Sequence, residues 1–370
     1  DRGLLAVGLQ DGTVEIFSIS SWEMYAKIPR ITAEANDTTA NDQPVYSLQF
    51  SRDGTKLAAG RSAVAHRDCF YVYDMLASAA IVNQFEREKP QVVNSLAFLH
   101  NSGTDMLVTG SSAPGFYMLH SLRPRGVVRT LTMTSTHGAR LQPISSGDLD
   151  PINGVVALCA GSTLQVFDQR GKLLLDSDLG EEITTYGPYK RAVKLQRGGS
   201  LVACALNFTQ MIVLETCGSE ALRITQNHDG DARGFRTLYD MAWSPDGKLL
   251  AMGTSGGGAL VFSMDGAVVY KHGKQVSSCG FDGTGSRFVY ADCAKFEVWI
   301  SDVQTWKPLH TVPNVGQWIG SVALSPTGDC VAYMEGISDA DVVVWPLDPN
   351  SGKQTQRMRQ SVNTRSDLSF

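Results

Sequence analysis

The stretch "FSRDGTKLAAG", Phe50–Gly60, returns almost unchanged as "WSPDGKLLAMG", Trp243–Gly253. Just before the first copy, "YSLQF" alternates polar and apolar residues, the period of a strand with one buried face. "SRDG" is turn chemistry, because Ser and Asp bond their own backbone and Gly accepts a positive φ. "TKLAAG" is a second short apolar strand, so the phrase reads as a hairpin. "CFYVYDM" supplies a third strand, rich in the aromatic and β-branched residues that pleated sheets favour, and "AAIVNQF" a fourth.

Weaker copies follow in step. They begin at Val93 ("VNSLAFLHNSGTDMLVTG"), Gly147 ("GDLDPINGVVALCAG"), Arg191 ("RAVKLQRGGSLVACAL"), Val276 ("VSSCGFDGTGSRFVYA") and Gly320 ("GSVALSPTGDCVAYM"). Third strands recur with them: "VEIFSI", "FYVYDM", "FYMLHS", "LQVFDQ", "MIVLET", "ALVFSM", "FEVWIS" and "VVVWPL". A period of about 45 residues with four strands per unit is the signature of propeller blades. The reason is burial: a small sheet of short strands cannot cover both its faces alone, whereas stacked blades cover each other.

The expected fold is therefore all-β, a single β-propeller of four-stranded antiparallel blades within 1–348. The blades run roughly over 1–29, 45–85, 93–133, 143–179, 189–227, 236–273, 275–313 and 318–348. Residues 3–12, 13–20 and 22–29 read as second, third and fourth strands, and 318–328, 329–337 and 340–347 as first, second and third. Eight blades are favoured over seven, because a seven-blade ring leaves the hairpin 329–347 without a sheet. Eight needs a further strand in "QRMRQSV"; the segment 349–370 is then a closing strand, and otherwise a polar basic tail.

This pattern resembles the WD-repeat β-propellers over about residues 3–348. Tyr73-Asp74 and Phe167-Asp168 stand where that family ends its third strand, and Asp11 in "LQDGT" where it places a turn Asp. Trp299 and Trp345 keep the aromatic but are followed by Ile300 and Pro346, and the Gly-His signature before the first strand is missing. The His–Asp–Ser–Trp hydrogen-bond network that the resemblance implies thus lacks its residues in most blades. "AVGLQDG" and "LAAGRSAVAHRDCFYVYD" are also similar to repeats of the echinoderm-type, microtubule-associated tandem propellers. That likeness implies an alternative role as an architectural subunit of a cytoskeletal, axonemal or ribonucleoprotein particle.

Composition narrows the function classes. The 370 residues are 43% hydrophobic and 19% charged, ordinary for a globular domain, and the formal net charge is −5. Such a balance argues against nucleic acid as a partner, apart from phosphate contact by the basic segment 349–365. No apolar run approaches the roughly 18 residues of a membrane-crossing helix, so no membrane partner is expected. The chain opens on Asp1 and reads as a piece of a longer one. Seven cysteines at 69, 159, 204, 217, 279, 293 and 330 show no CxxC spacing, and most sit in apolar runs such as "LVACAL". They read as buried small hydrophobes in a reducing, intracellular and cytoplasmic setting.

Function in such rings is expected where the pattern swells, because the sheets are committed to packing. "RSAVAHRD" (61–68), "GEEITTYGPYKR" (180–191) and "QNHDGDARGFR" (226–236) enlarge connections that, by the family's topology, open on one face. The polar stretch 29–43 is another excursion. The candidate partner-binding residues are Arg61, His66, Arg67, Tyr186, Tyr189, Lys190, Arg191, His228, Arg233, Phe235 and Arg236, with Trp318 opening an inner strand. Arg and aromatic side chains are those that dominate interface hot spots.

No catalytic, cofactor or metal set is expected. "GTSGG" (253–257) formally matches GxSxG, but "GALVFSM" after it is a strand, whereas a nucleophile elbow opens a helix. The seven histidines are dispersed, with no HxH or HExxH, and no GxxxxGK[ST] occurs. "NHDGDARG" lacks the ordered oxygen series of a calcium loop. "RGFR" (233–236) holds the letters of a phosphoinositide-binding motif in another order, so that function is not inferred. The leading expectation is a non-enzymatic protein-interaction scaffold in a larger intracellular assembly. The alternative from another class is a propeller enzyme or small-ligand binder using a central channel.

Overall fold

The computed structural model describes residues 3–9, 11–18, 21, 23–29, 45–51, 53–61, 70–76, 80–85, 93–99, 106–111, 116–122, 125–132, 146–150, 152–183, 192–206, 210–225, 237–312, 318–336, 340–348 and 355–362. Among these the chain is built of strands in eight sheets, each in sequential order. The first holds Leu4–Gly8 (β1), Val14–Ser18 (β2) and Met24–Ile28 (β3). The second holds Val45–Phe50 (β4), Lys56–Arg61 (β5), Phe70–Asp74 (β6) and Ala80–Phe85 (β7). Val93–Leu99 (β8), Met106–Ser111 (β9), Phe116–Leu122 (β10) and Arg125–Thr132 (β11) make the third. The fourth is Ser146–Asp150 (β12), Val155–Ala160 (β13), Thr163–Phe167 (β14) and Leu173–Asp178 (β15). Val193–Leu195 (β16), Leu201–Leu206 (β17), Gln210–Glu215 (β18) and Glu220–Thr225 (β19) follow as the fifth. Thr237–Trp243 (β20), Leu249–Ser255 (β21), Gly258–Ser263 (β22) and Val268–His272 (β23) form the sixth. The seventh is Val276–Phe281 (β24), Arg287–Asp292 (β25), Glu297–Asp302 (β26) and Pro308–Val312 (β27). The eighth is Ile319–Leu324 (β28), Cys330–Glu335 (β29), Ala340–Pro346 (β30) and Gln356–Val362 (β31).

Eight sheets fit the eight-blade count, and "QRMRQSV" is a strand. The first sheet has three strands among the described residues. Its β1 packs on the following first strand, β4, just as the second strands β5, β13, β21 and β25 pack on β8, β16, β24 and β28. The N-terminal sheet thus begins at its second strand, as the sequence pattern implies.

The repeated phrase is a turn held by its own side chains. Ser51 donates to Asp53 Oδ1 (2.6 Å), which also accepts from Thr55 N–H (3.0 Å), while Ser51 Oγ accepts from Lys56 N–H (2.9 Å). The second copy repeats this with Ser244 to Asp246 Oδ1 (2.6 Å) and Leu249 N–H to Ser244 Oγ (2.9 Å). Partial burial opposes ionisation of Asp53, but the bonds from Ser51 and Thr55 outweigh it and hold the carboxyl at about 2. Asp53 and Asp246 are therefore turn formers.

Chain contacts divide into two compact units: Asp1–Thr132 with Ser338–Asp341 and Met358–Phe370, and Met133–Ile337 with Val342–Arg357. Within the first, Ala6, Ile16, Val45, Leu57 and Tyr73 share one apolar cluster across the first two sheets. Within the second, Cys159, Cys204, Ile212, Leu250 and Phe262 belong to a cluster that runs through the fourth, fifth and sixth sheets. Second strands are buried almost throughout, as in β17 ("LVACAL") and β29 ("CVAYME"). Buried on both faces, they read as continuous apolar runs and not as alternation. Ala, Cys and Gly suit them because the next sheet approaches closely: a Cβ on Gly253 would lie 2.9 Å from the Val276 carbonyl oxygen. This accounts for the buried cysteines Cys159, Cys204 and Cys330; Cys217 is the exposed exception, and Cys69 lies outside the described residues.

Fourth strands are the exposed edge. A one-residue bulge recurs where third and fourth strands meet, at Ile16/Phe17, Val166/Phe167, Val213/Leu214, Val261/Phe262 and Ile300/Ser301. Such a bulge interrupts the ladder that an incoming strand would copy.

Candidate binding face

Because strands alternate in direction, the turns between second and third strands emerge on the same edge as the links to the next sheet. In the second unit this edge is described best around the link Gly273–Gln275. Gln275 bridges Ser255, Lys274 C=O accepts from Gly256 N–H (2.7 Å), and Gln275 C=O accepts from Cys293 N–H (2.7 Å). The link is thus laced between the second–third turns of its own sheet and of the next. The same lacing holds the earlier link, where Ile183 N–H donates to Gly161 C=O (2.8 Å) and Ile183 bridges Leu206.

Beneath the edge, a polar relay ties the inner strands of the sixth, seventh and eighth sheets. Asp240 Oδ2 accepts from Ser278 Oγ (2.9 Å) and Cys279 N–H (3.2 Å), and Ser278 Oγ accepts from Val322 N–H (3.4 Å). Ser277 Oγ (2.6 Å) and Cys293 Sγ (3.4 Å) both donate to Ile319 C=O. Single-residue bulges place Tyr239 and Gly320 out of register in β20 and β28. Tyr239 Oη accepts from Gln275 Nε2 at 3.5 Å. These bonds make the edge a fixed platform.

On it stands the turn Cys293–Phe296. The buried Asp292 caps this turn, its Oδ1 accepting from Ala294 N–H (3.0 Å) and Lys295 N–H (3.3 Å). Lys295 Nζ lies 5.2 Å from the Trp299 ring centroid, and Trp299 Nε1 donates to Glu297 (2.9 Å). Phe296 adopts φ 56°, and 38% of the residue is exposed. Below, His272 Nδ1 bonds the Tyr290 hydroxyl, which also meets Tyr270 Oη (3.3 Å). Burial, and then the bond to Tyr270, pushes the Tyr290 phenol up, so it stays neutral. His272, Asp292 and Trp299 therefore all have partners other than a shared serine, and no His–Asp–Ser–Trp relay forms among the described residues of this sheet.

Of the residues singled out in the sequence, His66, Arg67, Tyr186, Tyr189, Lys190, Arg191, His228, Arg233, Phe235 and Arg236 lie outside the described residues. Arg61 ends β5. Trp318 directly precedes β28, half-buried, and its carbonyl accepts from Gly336 N–H (2.7 Å). Sequence reasoning passed over Lys274, Lys295 and Phe296, whose turn looks like a plain hairpin. One signal was there: "CAKF" is a tight loop without glycine in a chain that holds 36. Ser255 ends β21 at a strand-to-strand turn, unlike a nucleophile elbow. Among the described residues, no group of three or more His, Cys, Asp or Glu is placed to hold a metal ion.

No family model matches this chain, and no curated protein matches it significantly. Solved structures do. The C-terminal WD40 domain of Sif2 superposes with a TM-score of 0.69 at 10% identity, over 94% of this chain and 93% of that one. Hsv2 of Kluyvelomyces marxianus superposes with a TM-score of 0.57 at 12% identity, over 86% of this chain and 99% of that one. Identity this low speaks to fold alone. Serial four-stranded antiparallel sheets and the likeness to the Sif2 domain along nearly the whole chain give one conclusion: the fold is that of a WD-repeat β-propeller.

Proposed function

We propose that this chain is a non-enzymatic protein-interaction platform in a larger intracellular assembly, which binds through the edge carrying the links and the second–third turns. Propellers of the WD40 fold generally bind other proteins, which sets the class. The observation that carries the reading here is the laced link Gly273–Gln275. It holds exposed Lys274 between two turns, one of which presents Lys295 and Phe296. Loops whose backbone is already held have little backbone freedom to lose on docking, and exposed cations beside an aromatic suit a macromolecular partner.

The test is cross-linking mass spectrometry on native complexes. Cross-links to other proteins should concentrate on Lys274, Lys295 and the neighbouring links. Recovery of the chain alone, at monomer mass, overturns the platform reading.

A further inference from the structure

Two residues other than glycine have a positive φ among the described residues, Phe296 and Trp306, both at 56°. They flank the same strand, β26. For a bulky L-residue this conformation is strained, and strain persists only where something over-determines it.

At Trp306 the compensation is visible. The turns before β15, β19 and β23 place Gly171, Gly218 and Gly266 at positive φ. A Cβ on Gly218 would meet Leu175 at 3.5 Å, and one on Gly266 would meet Leu222 at 3.2 Å. The position thus faces the outer strand of the preceding sheet. In the seventh sheet Trp306 fills it, stacking on Tyr270 of β23 at 4.8 Å and meeting Phe288 edge-on at 6.1 Å.

At Phe296 no such stack exists among the described residues. Its ring has no aromatic contact among the described residues, and 38% of the residue is exposed. The second–third turns of the first and fourth sheets meet positive φ with Gly12 and Gly161. A glycine here would relieve the backbone strain, and the exposed part of the phenyl ring is open to a group outside the chain. Among the described residues, Lys295 in the same turn and Lys274 in the link that holds Cys293 are exposed charged side chains of this edge.

We propose that Phe296 is a projecting anchor that enters an apolar pocket on a partner protein, with acidic side chains around that pocket facing Lys274 and Lys295. This rests on the platform reading and adds to it the anchor and the chemistry of the partner. A rigid aromatic with few torsions to freeze suits such insertion, and the two cations set orientation and encounter rate.

The experiment places the photo-cross-linker p-benzoylphenylalanine at position 296, or at 274 or 318, in the chain within its native cells, and sequences the adducts. The recovered partner is then purified and titrated against wild type, Phe296→Gly and the double variant Lys274→Glu/Lys295→Glu. The 296 adduct should fall on an apolar surface flanked by Asp or Glu. Phe296→Gly should weaken binding about tenfold or more, with an unchanged or higher Tm. The double lysine variant should bind more weakly and reverse its salt dependence, because added salt then screens repulsion. Adducts at 274 or 318 but none at 296 overturn the anchor and leave the platform standing. So does wild-type affinity in Phe296→Gly, a lowered Tm in that variant, or a basic surface at the 296 adduct. No adduct at any of the three positions overturns both.

Discussion

The two ends of β26 carry the same backbone strain for opposite reasons. At the Trp306 end the left-handed residue turns inward, and its ring is stacked on Tyr270. At the other end Phe296, with the same φ, turns outward. The fourth-strand side is where neighbouring sheets need filling, so a large residue there stabilises the molecule. The link side is already laced by backbone hydrogen bonds, and the Phe296 ring there has no aromatic stack among the described residues. Identical local geometry thus separates a stacked residue from a part-exposed one only when the neighbours are known.

The largest effect should come from Trp306→Gly. It relieves the strain but removes the stack, and a loss of about 2 kcal/mol is expected by urea denaturation. Phe296→Gly removes the same strain and no aromatic stack, so it should leave stability level or raise it by up to about 1 kcal/mol. Equal losses from the two substitutions would erase the distinction between the two turns. A double-mutant cycle of Tyr270→Ala with Trp306→Ala should give a coupling of about 1 kcal/mol, whereas Tyr270→Ala with Phe296→Ala should be additive. Lys295→Ala should cost about 0.5 kcal/mol, the scale of an exposed cation–π contact with Trp299.

Acid separates the turns more subtly. Asp302 shapes the Trp306 turn by accepting from Thr305 N–H and Oγ1, both at 2.7 Å, and the Thr305 hydroxyl bond chiefly holds its carboxyl below the ordinary range. A depressed folded pKa contributes stability that is complete above the unfolded value of about 3.9 and is lost as pH falls through the folded value. Wild type should therefore lose stability below about pH 4 more steeply than Asp302→Asn, measured by denaturant midpoints at stepped pH.

Much of the fold was legible because it is local. "SRDG" and "SPDG" carry their own hydrogen bonds, and alternation with a fixed period states which segments are strands. "LVACAL" and "CVAYME" announce double-sided burial by having no polar alternation at all. The tail was half legible: "QRMRQSV" is a strand, yet its composition equally suits a solvated arm.

The binding face was far less legible. Long, charged connections such as 226–236 draw the eye, whereas Phe296 lies in a four-residue turn that composition makes unremarked. By itself the sequence determined the strand inventory, the hairpin turns and the repeat, since each depends on residues a few positions apart. Only the tertiary structure decided which strained aromatic is stacked and which is part-exposed. That depends on contacts with segments tens of residues away, Tyr270 for one and none among the described rings for the other.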